Sequence, residues 1–274
     1  MASSAPFRGD FIAWSGGSAF LGQGGAGVIA PHAHYAIQLV VGTPAGLRVQ
    51  FGRRGAWQSC AAALIPSRAI HSIDVNACGW SAVLFVEPET AEGRALGARL
   101  QGTPECLDAG AIASSVARLE RAWRDEQTHE AVERECRALV RGLAATAARE
   151  PSDPRVLAAI EHIGQRLDRA PSLEEVARLV NLSPSRFRHL FVAQTGMPMR
   201  TYVLWRRLLR VWSLLMGGET LAGAAHAAGF ADSAHLSRTA RTMFGLAPSA
   251  MQMRGPLSGR ARQRPPDAGA SAAR

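Results

Sequence analysis

The chain of 274 residues contains no lysine, so all 31 of its basic side chains are arginines. It has no run near the ~18 to 20 apolar residues that a membrane span requires. Its first residues, MASSAPFRGD, lack the basic-then-apolar order of a secretory signal. The four cysteines are scattered without CxxC spacing, which indicates neither a zinc knuckle nor a disulfide framework. We therefore expect a cytoplasmic protein with reduced thiols and no membrane contact.

Composition places the chain among folded proteins, and charge separates its halves. Hydrophobic residues make up 47% and charged residues 19% of the sequence, which suits a buried core and about two domains. Residues 1–150 contain 14 arginines and 14 acidic residues, whereas residues 151–274 contain 17 and 8, so the net charge of +9 belongs to the second half. Guanidinium groups bind phosphates and guanine edges through paired hydrogen bonds. The second half is therefore predicted to bind a polyanion.

Hydrophobic periodicity predicts an α+β chain in which a sheet precedes helices. Residues 11–87 contain short apolar runs, such as AIQLVVG and SAVLFVEP, at spacings that suit an antiparallel β-barrel or sandwich. From Thr90 the spacing is helical, with two apolar stripes that could pack on the sheet or form a dimer seam. The stripes consist of Val116, Leu119 and Trp123, then Val132, Cys136, Leu139 and Leu143.

A repeated helix-turn-helix pattern occupies the basic half. Residues 172–196 align with residues 220–245, with one extra residue in the second turn. In the first copy Ser172 and Glu175 form an S-x-x-E capping box, Asn181 marks the turn, and Ser183 begins the second helix. In such a motif the second helix enters the DNA major groove. Between the copies, an apolar stripe from Tyr202 to Met216 predicts one stiff connecting helix.

The second helix of each copy presents a polar, cationic face. Phe187, Leu190 and Phe191 should be buried in the first copy, and Leu236 and Phe244 in the second. The predicted DNA-binding residues are Ser185, Arg186, Arg188 and His189 in the first copy, and Ser233, His235, Arg238 and Arg241 in the second. Among these, Arg188 and Arg238 are predicted to contact base edges, and Arg186 and Arg241 to contact phosphates.

Residues 155–252 resemble the DNA-binding domain of AraC/XylS-type bacterial transcription regulators. The resemblance is carried by the two copies, by the pair Arg207 and Leu208, and above all by AAGFADSAHLSRTARTMFGLAPS. It implies promoter binding on double-stranded DNA, activation through RNA polymerase, and an N-terminal cupin-like barrel that senses a small-molecule effector and often dimerises. Two departures, Ala240 for the usual Phe and Val211 for the usual Ala, affect packing of the second unit more than its outward face.

The resemblance and the periodicity together give four predicted segments. These are a cupin-like β-barrel sensor domain at 1–89, a helical linker or dimerisation segment at 90–150, a DNA-binding domain at 151–255, and a disordered tail at 256–274. We expect a homodimer from the helical segment.

A histidine cluster in the N-terminal half resembles the two cupin motifs. APHAHYAIQLVVG places His32, His34 and Gln38 in the order H-x-H-x3-Q, and His71 lies five residues after Pro66. Gln38 stands where metal-binding cupins often have Glu, and Arg68 stands where they have Gly. On one strand, residues 32, 34, 36 and 38 would share a face.

Three interpretations of this cluster stay open. The favoured one is a polar pocket in which His32, His34, Gln38 and His71 hydrogen-bond an organic effector. In the second, His32, His34 and His71 bind Zn, Fe, Ni or Mn, although the missing carboxylate weakens such a site. In the third the cluster is structural. No other cofactor is predicted.

The favoured function is therefore an effector-responsive transcription activator rather than an enzyme. The alternative is a cupin-type metal-dependent dioxygenase or isomerase with an accessory helical domain. The repeat argues against it, since an enzyme needs no recognition helices, and no nucleophile-base pair or paired carboxylates stand out in the sequence. A constitutive regulator without an effector is a further alternative.

Overall fold

A computed structural model of the chain describes residues 7–23, 28–44, 46–144, 153–253 and 257. They form an α+β structure with a sheet-rich N-terminal domain, 7–144, and a helical C-terminal domain, 153–253. The strands are β1 (Phe7–Trp14), β2 (Gly17–Gln23), β3 (Val28–His32), β4 (Ile37–Thr43), β5 (Arg48–Phe51), β6 (Trp57–Ser59), β7 (Ala62–Ile65), β8 (His71–Asp74), β9 (Trp80–Val86), β10 (Glu105–Leu107) and β11 (Met251–Met253).

The helices are α1 (Ala91–Leu100), α2 (Ala109–Arg121), α3 (His129–Ala144), α4 (Pro154–Gly164), α5 (Leu173–Leu179), α6 (Pro184–Thr195), α7 (Met199–Met216), α8 (Leu221–Ala227) and α9 (Ser233–Phe244). A π-helical turn, Ala122–Glu126, directly follows α2 and precedes α3. Within the described ranges, no helix combines the length and apolar character that crossing a bilayer requires. The predicted disordered tail, 256–274, lies outside the described residues except for Leu257.

The strands form two open sheets instead of the predicted closed barrel. The large sheet has the order β10-β7-β4-β9-β2-β1-β11, and the small sheet has the order β3-β8-β5-β6. Both edge strands of the large sheet, β10 and β11, come from beyond the strand-rich stretch 11–87. Because these later segments occupy its edges, the large sheet does not close on the small one in the described part of the chain.

The large sheet is buried on both faces, and alternate residues of its strands face different partners. In β4, Leu39 and Val41 pack with the helices α1 to α3, whereas Val40 packs with the small sheet. In β2 and β9, Phe20 and Phe85 pack with the C-terminal domain. Successive side chains of a strand point to opposite faces. Continuous apolar runs such as AIQLVVG are therefore what a strand covered on both sides requires.

Both predicted apolar stripes of α2 and α3 pack within the chain. The buried members are Val116, Leu119, Trp123, Val132, Cys136 and Leu139, and Leu143 packs beside them. The indole of Trp123 also donates from Nε1 to Asp10 of β1 at 2.8 Å. Of the two alternatives that the sequence left open, the structure shows intramolecular packing, so these residues do not form a free dimer seam.

The C-terminal helices begin and turn at the predicted residues. These are the capping-box pair Ser172 and Glu175, the left-handed turn residue Asn181 and the N-cap Ser183. In addition, Gly229 makes the left-handed turn of the second unit, and Gly196 and Gly245 are left-handed C-caps. The connecting helix, α7, has 18 residues. The two departures from the family pattern, Ala240 and Val211, are buried. They therefore change the core and not the outward face.

A cluster of six aromatic rings joins the two domains. The cluster consists of Phe11, Phe20 and Phe85 from the large sheet, Trp205 and Trp212 from α7, and Phe244 from α9. Ring centroids lie 5.0 Å apart for Phe20 and Trp212 and 5.3 Å apart for Phe85 and Phe244. Such pairs stabilise by roughly 0.5–1.5 kcal/mol beyond the area they bury. The two domains therefore share one hydrophobic core.

The second helix-turn-helix unit contacts both sheets. After α9 the chain returns as β11, which pairs in parallel with β1 in the register Phe7 to Met251. Gly245, the C-cap of α9, lies against β3 of the small sheet. A Cβ at Gly245 would lie 2.5 Å from Cγ2 of Ile29 and 2.7 Å from Nδ1 of His32. Only a glycine allows this close approach.

Buried polar groups also connect β9 and the start of α1 to α7. Tyr202 donates to Oε1 of Glu89 at 3.0 Å, and Arg206 donates to Tyr202 Oη at 3.2 Å. Arg206 also forms an ion pair of 3.6 Å with Glu87. Burial raises the pKa of both carboxyl groups, and with the neighbouring Glu87 charge it raises the pKa of Glu89 to about 8. The domain contact therefore contains a carboxyl group that holds its proton at neutral pH.

Two of the four cysteines form a disulfide, contrary to the expectation of reduced thiols. Cys60 and Cys106 are bonded, with Cα atoms 5.6 Å apart. Pairing of β10 with β7 brings together these residues, which lie 46 positions apart in the sequence. Cysteine spacing alone carries no information about that pairing. Cys78 and Cys136 are free and buried, and burial raises the pKa of both thiols.

Replacing Glu89 by glutamine should remove a pH dependence of stability. Because the folded chain keeps this proton to a pH of about 8 and the unfolded chain only to 4.5, the folded state loses stability as pH rises between these values. Glu89→Gln keeps the acceptor for Tyr202 and cannot ionise. We expect its melting temperature to match that of the wild type near pH 5 and to exceed it by several degrees at pH 8. The exposed Glu130→Gln is the control. A difference in melting temperature between Glu89→Gln and wild type that stays constant from pH 5 to pH 8 would contradict the raised pKa of Glu89.

Alanine at Gly245 should destabilise the protein more than alanine at Gly196. Both glycines end a helix with φ of 75°, so both substitutions carry the same backbone strain, roughly 1 kcal/mol. The nearest atom to a Cβ at Gly196 is Ser67 Oγ at 3.7 Å, whereas a Cβ at Gly245 would overlap β3. Overlap in a packed interface costs about 1–3 kcal/mol. Urea unfolding of the full chain measures the difference. Equal losses of unfolding free energy in the two variants would show that the end of α9 does not pack closely against β3.

Candidate functional site

The first recognition helix, α6, presents its predicted residues to solvent. Its N-cap Ser183 accepts a hydrogen bond from the backbone N–H of Arg186, and Pro184 is its first residue. Phe187 and Phe191 are fully buried, and their rings pack 5.4 Å apart. The predicted DNA-binding residues Ser185, Arg186, Arg188 and His189 are all exposed. The division of α6 into two faces is therefore confirmed, except that Leu190, which was predicted to be buried, is half-buried.

The second recognition helix, α9, also has a buried and an open face. Leu236 and Phe244 are buried, as predicted. Ser233, Arg238 and Arg241 are exposed, while His235 is half-buried, with its ring 5.2 Å from that of Phe230. His235 is therefore partly engaged in packing, unlike the other predicted residues of this helix.

A cationic groove lies between the two units. Its volume is about 430 Å³, and it is lined by Arg188 of α6, His235 of α9, and Arg200 and Arg207 of α7. Arg207 is fixed in place, since its Nε donates to the carbonyl oxygen of Leu167 at 2.7 Å. Both recognition helices therefore contribute to one groove. No sequence signal marks Arg200, because the recognisable pattern of the connecting helix is its apolar stripe.

The histidine cluster forms where the two sheets meet, and not along one strand. His32 ends β3 and pairs in register with His71, which begins β8 of the same small sheet. Gln38 lies in β4 of the large sheet, and His34 lies in the turn between β3 and β4. The prediction of a single strand face is wrong because the chain changes sheets after His32. The side chains still converge, and one ring nitrogen of each histidine lies within 4.8 Å of the others.

Backbone hydrogen bonds fix the orientation of the three imidazoles. Nδ1 of His32, His34 and His71 lies 2.9, 2.8 and 2.9 Å from the carbonyl oxygens of Ala30, Ala36 and Ala69. Burial lowers the pKa of all three histidines, that of His34 to about 4, so each ring is neutral near pH 7. A neutral ring that donates from Nδ1 carries its lone pair on Nε2.

Arg68 supports the turn that carries His34. Its backbone N–H donates to the carbonyl oxygen of His34 at 2.7 Å. Its φ is 67°, in the left-handed region that glycine adopts without strain. This conformation explains why the cupin pattern has glycine at the position. The side chain of Arg68 is exposed, so it is not part of the cluster.

The cluster lies directly against the DNA-binding half of the chain. The ring of His34 lies 5.0 Å from that of Phe85 and 6.3 Å from that of Trp205 in α7. His32 contacts the C-cap of α9 at Gly245. A small cavity of about 50 Å³ is lined by His32 and Gln38 together with Trp212 and Phe244. The sequence could not predict this neighbourhood, since it depends on how the domains dock.

Comparison with known proteins agrees with the two-unit geometry. A family model described as a helix-turn-helix domain matches residues 176–254. ToxT from Vibrio cholerae O395 is similar in structure, with a TM-score of 0.55 and 11% identity, over 86% of this chain and 96% of that one. Unsaturated fatty acid bound wild-type ToxT from Vibrio cholerae strain SCE256 is similar with a TM-score of 0.53 and 11% identity, over 91% and 96% of the chains.

A shorter structure covers about a third of this chain. It is a transcriptional regulator from Chromobacterium violaceum described as an AraC-type DNA-binding domain-containing protein, 24% identical over 35% of this chain and 87% of that one, with a TM-score of 0.33. The family match and the paired capped helices identify residues 176–254 as a helix-turn-helix domain, within a chain whose fold is shared with ToxT.

Proposed function

We propose that this protein is a sequence-specific regulator of transcription that binds promoter DNA through both recognition helices. The observation that carries the proposal is the arrangement of α6 and α9. Each is a capped helix of 12 residues with a buried apolar face and an open arginine face, and the two are joined by one continuous helix. The N-cap, the buried face and the left-handed C-cap glycine repeat in the same register in both helices, and each open face carries two predicted DNA-binding arginines at its own positions.

Helix dimensions fit two contacts on one duplex. A helix of 12 residues is about 18 Å long, which suffices to cross the major groove and contact a few base pairs. The 18 residues of α7 span about 27 Å, comparable with the ~34 Å turn of B-DNA. One chain could therefore place α6 and α9 in successive major grooves on one side of the duplex.

The exposed side chains divide into two roles. Arg188 and Arg238 lie on the open faces, where a guanidinium can form two hydrogen bonds to guanine. Arg186 and Arg241 are assigned to phosphates, which fix the register without selecting sequence. Ser185, His189, Ser233 and His235 complete the predicted interface, with His235 restricted by its packing on Phe230. Arg200 adds positive charge beside Arg188.

The N-terminal domain is proposed to make DNA binding respond to a ligand. Its sheets contact α7 and α9 directly, so a change at the histidine cluster can reach the second unit. The ToxT structure with bound unsaturated fatty acid supports regulation by a small ligand in this fold. Activation through RNA polymerase and a homodimer follow as expectations from the resemblance to AraC/XylS-type regulators, and a cytoplasmic location is proposed from the sequence pattern of the chain.

The geometry favours regulation over the enzyme alternative. The three imidazoles are buried, and the cavity beside them has a volume of about 50 Å³. Pockets for organic molecules usually measure roughly 300–1,000 Å³. An organic substrate would therefore have to separate the domains before it reached the ring nitrogens.

Removing either predicted base reader should weaken binding to the selected DNA sequence. After selection of preferred sites from random DNA with the full chain, Arg188→Ala and Arg238→Ala should each cost about 1–3 kcal/mol and relax preference at one base position. Arg186→Ala should weaken binding to all sequences and lower the salt slope by about 1. Gel shift at several salt concentrations measures both effects.

The exposed Arg54→Ala, in the N-terminal domain, is the matched control and should leave the affinity unchanged. Wild-type affinity in both reader variants would show that these arginines do not select bases. If the wild type prefers no DNA sequence even at low ionic strength, the proposed function itself is wrong.

A further inference from the structure

We propose that His32, His34 and His71, together with Gln38, bind one divalent first-row metal ion, and that this ion is the ligand to which DNA binding responds. The second part rests on the proposed function, whereas the metal site stands on its own geometry. Three buried histidines from β3, β8 and the intervening turn converge within 4.8 Å.

Hydrogen bonding prepares the ring nitrogens for a metal. Each Nδ1 faces a carbonyl oxygen two residues away in the sequence, at 2.8–2.9 Å. A carbonyl oxygen can only accept, so Nδ1 must carry the proton and Nε2 the lone pair. Metal-binding histidines nearly always have their other nitrogen held in this way, which fixes both tautomer and ring orientation. All three histidines of the cluster share this arrangement.

Gln38 gives the cluster an oxygen that a cation would satisfy. Its Oε1 lies 2.6 Å from Nε2 of His34 and 3.3 Å from Nε2 of His71. An amide oxygen and two nitrogen lone pairs repel each other unless a positive centre lies between them. A metal ion accepts electron pairs from all these atoms at once, and Oε1 then serves as its fourth ligand.

The amide nitrogen of Gln38 is the atom that this orientation leaves unsatisfied. In the described part of the chain it has no hydrogen-bond partner, although it is buried. Turning the amide over would bring its N–H groups to the histidines and give an uncharged, satisfied cluster. The polar atoms of the site can therefore be satisfied either by a metal ion or by a turned Gln38 amide. Measuring whether the protein binds metal distinguishes the two.

Cavity size selects an ion over an organic ligand. The space of about 50 Å³ next to His32 and Gln38 accommodates an ion with a water molecule. An organic effector, which the sequence favours, would need several times this volume. Neutral imidazoles suit Zn²⁺, Cu²⁺, Fe²⁺ and Ni²⁺, whereas Mg²⁺ and Ca²⁺ prefer the carboxylate oxygens that this site lacks.

The position of His32 connects the metal to DNA binding. The same imidazole whose Nδ1 donates to Ala30 lies under Gly245, where α9 ends. A metal that fixes this ring therefore fixes the surface on which the second recognition helix is seated. Since Arg238 and Arg241 are exposed in this docked arrangement, metal binding should strengthen DNA binding.

Metal content of the full-length protein tests the site. After chelation, wild type should take up one Zn²⁺ per chain, and one Co²⁺ should give the intense visible absorption of a four-coordinate ion. His71→Gln and His34→Gln should each lose this stoichiometric binding, while the exposed His129→Gln keeps it. X-ray absorption on Zn-loaded wild type should show imidazole nitrogens in the first shell, without requiring any variant to fold. A wild type that binds no metal, or a site lacking imidazole ligands, overturns the proposal.

Affinity for the selected DNA sequence, with and without Zn²⁺, tests the response. We expect metal to tighten binding by a factor between about 5 and 150, the usual range for coupled sites. His71→Gln should bind DNA with the affinity of the metal-free wild type, whether Zn²⁺ is present or absent. Equal affinity of Zn-loaded and metal-free wild type overturns sensing but leaves the metal site intact. Absence of specific DNA binding in both states overturns the proposed function instead.

Discussion

The contact between the sheet and α7 determines much of what this protein can do. Phe20 and Phe85 from the sheet pack against Trp205, Trp212 and Phe244 from the helices. Contacts between domains of one chain are commonly polar and permit relative motion. Here the contact is an aromatic core, reinforced by the pairing of β11 with β1. The helical domain is therefore held in a defined position on the sheets.

This rigidity gives the histidine cluster its importance. His32 and His34 lie at the boundary of the aromatic core, and His32 touches the end of α9. A ligand of the cluster does not need to act over a long distance, because the element that it would influence is its immediate neighbour. The buried Glu89 and Tyr202 form a second polar contact across the same boundary. A ligand of the cluster and the proton of Glu89 would thus act on the same interface.

The sequence predicted the parts of the structure that depend on short segments. Strand runs such as AIQLVVG and the stripes of α2 and α3 were found, since burial follows directly from apolar periodicity. It did not predict the open sheets, because β10 and β11 complete the large sheet from remote segments. It also missed the bond between Cys60 and Cys106, which strand pairing alone brings together.

By itself, the sequence determined the two helix-turn-helix units and their open faces, since capping residues, left-handed turns and apolar spacing act within a few residues of one another. Tertiary structure alone decided where those units sit and which side chains surround the histidines. His32, Gln38 and His71 belong to three strands, and Gly245 approaches them from the far end of the chain. Such convergence depends on long-range packing, which no local pattern encodes.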